Sequence, residues 1–210
     1  MDTTKFTYKN SNLYNSRGET VMMEWERNWM KKSAEIVCKN GGDILNIGHG
    51  LGLVDTYIQE HNPNSHTIIE VHPDVHSHMK ENGWYKRANV IESDWQNVVH
   101  GLPTFDGIYF DTWSETKHDF KNGLVSHLPC ILKQGGIFSY WNNVNIESEE
   151  VNQYCKEQNF HIEWIKYKLD NIPEKQYANG RTYIDPKLDY VLLPIITNLN
   201  EPIEYKQSLI

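Results

Sequence analysis

The stretch Ile44–Val75, ILNIGHGLGLVDTYIQEHNPNSHTIIEVHPDV, decides the fold. It runs an apolar segment, glycines at Gly48, Gly50 and Gly52, a helix-like segment, a second apolar run and then Glu70. That is the order of a nucleotide-binding βαβ unit. A dinucleotide fingerprint is G-x-G-x-x-G, which seats a pyrophosphate on a helix N-terminus. Here the spacing is G-x-G-x-G, which suits a ligand without phosphates. Glycines at such a strand-to-helix turn permit positive φ and close approach of the backbone to a ligand. Glu70 ends the second strand, where an acid can accept both hydroxyls of a ribose.

Outward from this unit the alternation continues. DILNI and HTIIEV read as strands, LGLVDTYIQEH and PDVHSHMKENG as helices, with Pro73 at the start of the second. NVIES, FDGIYFD and GGIFSYW are three more strands. Phe120, Leu124, Leu128 and Leu132 mark a helix at i, i+4 spacing. Upstream, Glu19–Asn40 reads as a helix, with Met22, Trp25 and Trp29 on one face and Gly41-Gly42 as its stop. FHIEWIKYK alternates, YANGRTY carries an Asn-Gly turn signal, and YVLLPIIT is a strand whose Pro194 calls for an edge or a bulge. The expected architecture is α/β, a parallel sheet finished by an antiparallel pair. Residues 1–18 read as a polar, adaptable N-terminal arm and residues 19–210 as one domain.

With 39% hydrophobic and 23% charged residues, the 210-residue chain can bury a core without staples. A net charge of −8 argues against nucleic acid; it suits a cationic substrate, and solubility alone explains it equally well. The three cysteines, Cys38, Cys130 and Cys155, are dispersed and fit a reducing cytosol. No apolar run reaches the length of a membrane span. A cytoplasmic protein is expected, with a second copy of the chain retained as a candidate partner.

The ligand can be read further. Asp94 follows the third strand, and Trp95 offers a flat face for a base. Ribose, adenine and no phosphate together indicate S-adenosylmethionine. The competing reading makes Glu70 a solvated strand end and Trp95 a core residue. In open α/β sheets ligands lie beyond the carboxyl ends of the strands. Asp111 ends the fourth strand, so it is expected to face the cofactor's reactive end. His72, just after Glu70, is expected near the cofactor, and His49 lies within the glycine loop. The cluster His72, His76 and His78 lacks the company of a metal motif, so no metal is expected.

VMMEWE, ILNIGHGLGLVD, HTIIEVHPDV, NVIESDWQNV, FDGIYFDTW and GGIFSYWN resemble guanidinoacetate N-methyltransferase, and resemble still more the catalytic domain of fungal protein arginine delta-N-methyltransferases. The resemblance runs from about Thr20 to Asn142 and resumes near YVLLPIIT. It implies a class I, Rossmann-like S-adenosylmethionine-dependent methyltransferase domain with a seven-stranded sheet. It also implies a guanidino substrate gripped by Glu26 and Asp111. Met22 and Met30 resemble positions packing on the cofactor, and Leu51 and Gly52 the loop beside its methionine moiety. Glu70 resembles the ribose ligand, and Trp95 with its neighbours the adenine site.

Chemistry agrees with that pair. A guanidinium, with a pKa of about 12.5–13.8, keeps its proton near neutrality. Two carboxylates neutralise it, orient one nitrogen, and let Asp111 take the proton. Trp25 and Trp113 can stack on the guanidine plane. Two departures bear on the substrate. Asn46 stands where guanidinoacetate enzymes usually have glutamate, and the longer N-terminal region of the fungal enzymes is missing. Free arginine or a similar small guanidino compound is therefore expected, ahead of a protein arginine or guanidinoacetate. Another amine substrate, or a noncatalytic cofactor-binding protein, are the competing readings.

Overall fold

The computed structural model describes residues 5–112, 123–174, 176 and 182–201. Its centre is a seven-stranded sheet built from β4 (Asp43–Ile47), β5 (Ser65–Glu70), β6 (Asn89–Glu92), β7 (Phe105–Phe110), β8 (Leu132–Tyr140), β9 (Phe160–Lys168) and β10 (Tyr190–Asn198). The strand order is β6-β5-β4-β7-β8-β10-β9. The first five are parallel, and β10 runs antiparallel to both its neighbours. The chain leaves β4 toward one edge through β5 and β6, then returns to its other side with β7. This reversal opens a crevice at the carboxyl ends of β4 and β7, where α/β sheets take their ligands.

Alternation along the strands feeds two cores. Ile44, Ile68, Tyr109 and Ile137 join one cluster, with Trp29, Met30, Val54 and Val75 from α1 (Arg27–Val37), α2 (Leu53–Glu60) and α3 (Pro73–Glu81). Leu45, Ile69, Ile108 and Phe138 join the other. There they meet Trp95, Leu128 and Cys155 from α4 (Trp95–Val98), α5 (Leu124–Ile131) and α6 (Glu149–Glu157). Covering both faces is what lets β4 and β7 be apolar almost throughout. No helix among the described residues is long and apolar enough to cross a membrane.

Three local expectations change. The helix expected from Glu19 begins at Arg27. Thr20–Met22 is instead strand β3, and Glu24–Glu26 is a short 3-10 turn. The i, i+3, i+7 spacing of Met22, Trp25 and Trp29 thus spans three elements whose apolar residues all point inward. The stretch expected as an adaptable arm carries β1 (Thr7–Lys9) and β2 (Asn12–Tyr14), which with β3 form an antiparallel sheet. Leu13 is fully buried there. Leu132, expected at the end of a helix, opens β8, and Phe120 lies outside the described residues, as does the Asn179-Gly180 turn signal.

Pro194 lies in β10, between β8 and β9, and faces Trp164 of β9. The register with β8 lies at Ile196 and Thr197, so the missing N–H of Pro194 falls outside that pairing.

Candidate active site

The glycine loop closes tightly on the neighbouring strand. Gly48 has φ +94°, and a Cβ there would lie 1.9 Å from the carbonyl oxygen of Asp111, so only glycine fits. Its N–H donates to Ile69 O at 2.9 Å. The loop is therefore locked between the ends of β5 and β7. The small N-terminal sheet covers it from outside. Met22 Sδ would be 3.1 Å from a Cβ on Gly50, and it lies 3.4 Å from the amide of Leu51. Tyr8 donates its hydroxyl to Gly50 O at 3.0 Å and stacks on His78, with ring centroids 3.7 Å apart. Met30 is buried in α1, beneath the Tyr109 hydroxyl.

Beneath the loop is a buried polar cluster. Asp55 meets His49 Nδ1 at 2.7 Å and His66 Nε2 at 3.0 Å, and accepts from Asn46 Nδ2 at 2.9 Å. Burial works to raise the Asp55 carboxyl, but the charges and hydrogen bonds of the two histidines hold it down at about 2. Asn46 is also tied to Gly48 O.

Glu70 sits at the carboxyl end of β5. Its Oε1 accepts from Val71 N at 2.7 Å and His72 N at 2.8 Å, and its Oε2 from His49 N at 2.8 Å. A carboxylate has about four acceptor positions. One, on Oε2, remains, where the sequence suggested an acid free for two hydroxyls. The His72 ring stacks on Phe6 at 3.6 Å and its Nδ1 accepts from Asp74 N, capping α3. His76 Nδ1 meets the Tyr85 hydroxyl instead, so the three clustered histidines serve three different neighbours. Asp94 caps α4 through Gln96 N at 2.9 Å, and Trp95 is buried edge-on against Phe110.

Of the two carboxylates singled out for the substrate, Glu26 acts on Asp111. Glu26 is buried. Its Oε1 accepts from Met23 N at 2.9 Å and from the Tyr183 hydroxyl at 2.8 Å, and its Oε2 from Trp141 Nε1 at 3.1 Å. Burial pushes it up to about 7, against the pull of those three bonds. Asp111 is pushed well above the carboxylate range by burial first, then by the negative charges of Glu26 and Asp55. Among the described residues its Oδ2, buried, has no hydrogen-bond partner, and neither has the hydroxyl of Thr112.

Trp25, half-buried, donates its Nε1 to the Tyr183 hydroxyl at 2.8 Å. Trp113 lies outside the described residues. Tyr183 and Trp141 were not singled out in the sequence. Trp141 had a usable signal, since it follows the end of β8 as Asp111 follows β7. Tyr183 had none, because it lies in a connection between β9 and β10.

One reversed strand, β10, set between β8 and the edge strand β9 of an otherwise parallel sheet, with a glycine loop at the switch point, is the class I methyltransferase architecture. Among solved structures, the N-methyltransferase NodS from Bradyrhizobium japonicum WM9, in complex with S-adenosyl-L-homocysteine, aligns with a TM-score of 0.57 at 13% identity. The match covers 84% of this chain and 89% of that one. The family model described as guanidinoacetate N-methyltransferase matches residues 3–170, and the chain belongs to that family. Protein arginine N-methyltransferase 2 of Aspergillus fumigatus is 34% identical over 192 residues, 84% of this chain and 45% of that protein. The Saccharomyces cerevisiae protein of the same name is 32% identical over an alignment 214 residues long, gaps included, which covers 89% of this chain and 52% of that protein. The chain spans about half the length of these curated relatives. Family and fold together define an S-adenosylmethionine-dependent methyltransferase.

Proposed function

We propose that the protein methylates a guanidino nitrogen, with Glu26 and Asp111 holding the guanidinium. The observation that carries this is the carboxylate pair. Each is raised by burial, Asp111 further by Glu26, and Asp111 Oδ2 is buried without a partner among the described residues. Two such anions are costly to keep together unless a cation joins them. A guanidinium brings that charge and a planar set of N–H donors.

S-adenosylmethionine supplies an electrophilic methyl carried on a sulfonium. The donor set fits it. Glu70 keeps one acceptor position that a ribose hydroxyl would take, and Asp94 and Trp95, which follow β6, would border the adenine, Trp95 from within the core. Gly48, Gly50, Leu51 and Gly52, backed by Met22 and with Met30 in α1, would hold the methionine moiety. His72 contributes by fixing Glu70 through its amide.

The chain's own work is then orientation and proton removal. Glu26 and Asp111 offset the guanidinium charge near the sulfonium and turn one nitrogen toward it. Asp111 Oδ2 takes the proton that leaves that nitrogen, and its raised affinity for protons suits it as a base. Trp25 flanks the guanidine plane. Every contact offered by this pair is to the guanidinium itself, so a small compound such as free arginine suffices as substrate. A protein arginine is the second reading, favoured by the name of the fungal relatives.

The test is methyl transfer from S-adenosylmethionine to free arginine, guanidinoacetate, agmatine and an arginine-containing peptide, read by mass spectrometry. A methylated free guanidino compound supports the proposal and identifies the substrate class. Methylation of the peptide alone moves the assignment to the second reading. No product with cofactor bound removes the guanidine assignment.

A further inference from the structure

The hydrogen bonds around Glu26 have a direction. An indole N–H only donates. Trp25 Nε1 donates to the Tyr183 hydroxyl at 2.8 Å, so the phenolic proton has Glu26 Oε1, also at 2.8 Å, as its target. Trp141 Nε1 and Met23 N are likewise donors only, on Oε2 and Oε1. All three groups on Glu26 therefore donate, and both its oxygens accept. Of about four acceptor positions on a carboxylate, three are taken. One remains, on Oε2.

Tyr183 is itself pinned. Gln176, nearly fully buried, accepts from Tyr183 N at 2.8 Å and Ile184 N at 2.9 Å, and donates to Ile184 O at 2.9 Å. Asn143 Nδ2 donates to Tyr183 O at 2.6 Å. The ring packs against Trp25 and Trp141, with centroids 6.4 and 5.9 Å away. A residue from the β9–β10 connection is thus held over a carboxylate that arises 157 positions earlier in the chain.

We propose that Tyr183 is a positioning residue that fixes Glu26 as a one-point hydrogen-bond acceptor, presenting a single open position on Oε2 to the substrate. The inference rests on the guanidino reading above for its consequence, though the effect on Glu26 stands apart from it. A guanidinium then meets Glu26 through one N–H and Asp111 Oδ2 through another, rather than forking onto either carboxylate. The charged group coupled to Glu26 is Asp111, just past β7, and Tyr183 and Trp141 face Glu26 as neutral donors. Tyr109 of β7 also lies in the field of both acids.

The experiment is an infrared pH titration of carboxyl groups in the full chain, with Glu26→Gln identifying the Glu26 signal. Tyr183→Phe keeps the ring and removes one charge-directed hydrogen bond, so the Glu26 midpoint should rise by about one pH unit. Trp25→Phe, which frees the hydroxyl to turn, should raise it less. An unchanged midpoint in Tyr183→Phe overturns the proposal. If that variant does not fold, an unchanged midpoint in Trp25→Phe does so. Turnover gives the separate answer. The acid limb of kcat/KM should move with the Glu26 midpoint. Absence of any guanidino turnover in the parent protein would refute the functional reading while the titration still decides the role of Tyr183.

Discussion

Binding of a guanidinium to this chain should release protons and strengthen as pH rises. Glu26 is held at about 7 and Asp111 well above the usual carboxylate range, so near neutrality the pair carries protons. The guanidinium keeps its own charge, with a pKa of about 12.5–13.8, and favours both anions. Both carboxyls therefore ionise as it binds. For Glu26 alone the affinity is divided by a factor of 1 + 10^(7 − pH), about eleven at pH 6 and about one at pH 8. Affinity should thus be about tenfold weaker at pH 6 than at pH 8. Asp111 adds loss in the same direction and carries the dependence to higher pH. Near pH 7, roughly one to two protons should leave per guanidinium bound. Calorimetric titration of arginine and guanidinoacetate, with S-adenosylhomocysteine present and in buffers of different ionisation enthalpy, measures this directly. Glu26→Gln should remove the lower part of the dependence. A pH-flat affinity with buffer-independent heats would refute the reasoning, because the two carboxyls would then not face the ligand.

Other substitutions separate the parts of the site. Asp111→Asn should abolish turnover and leave cofactor binding intact, while thermal melts show it more stable than the parent at pH 8. The sign follows from the raised carboxyl: an acid that holds its proton more tightly when folded loses stability as pH rises above its unfolded value. Glu70→Ala should weaken S-adenosylmethionine binding in calorimetry, and it also strands three amides at about 1–3 kcal/mol each when buried. Unchanged cofactor affinity there would remove Glu70 from the ribose role. Asp55→Ala should cost about 3–5 kcal/mol in denaturant unfolding, since His49 and His66 lose their common buried partner. Leu13→Ala should cost about 2–5 kcal/mol, a loss that a solvated arm would not show.

The sheet was legible because burial on both faces writes itself into sequence as apolar runs, and because glycine at the switch point is a steric necessity. Ile44, Leu45 and Ile47 surround a buried Asn46, yet the run still reads as a strand. The N-terminal sheet left no such trace. Its strands are three residues long, and in β1 and β2 only Leu13 is buried, so the chain reads as polar with stray aromatics. Its hold on the fold comes from contacts far along the chain, Phe6 N to Asp74 and Tyr8 to Gly50.

The site shows the same division. Asp111 and Glu70 could be placed from the sequence because they end strands, and the carboxyl-end rule applies to each alone. What Glu26 can do depends on Trp141 and Tyr183, which lie 115 and 157 positions away and share no periodicity with it. A sequence pattern reports which face an acid is on. It does not report how many of its lone pairs are spent. For Glu26 and Glu70 that count leaves one apiece, and it makes each a directional contact rather than a general negative charge. Asp111 keeps its Oδ2 without a hydrogen-bond partner among the described residues, and on the proposed reading it is the acid that takes the proton of the substrate. The proposed division of labour between holding and proton removal thus rests on hydrogen bonds already committed elsewhere in the fold.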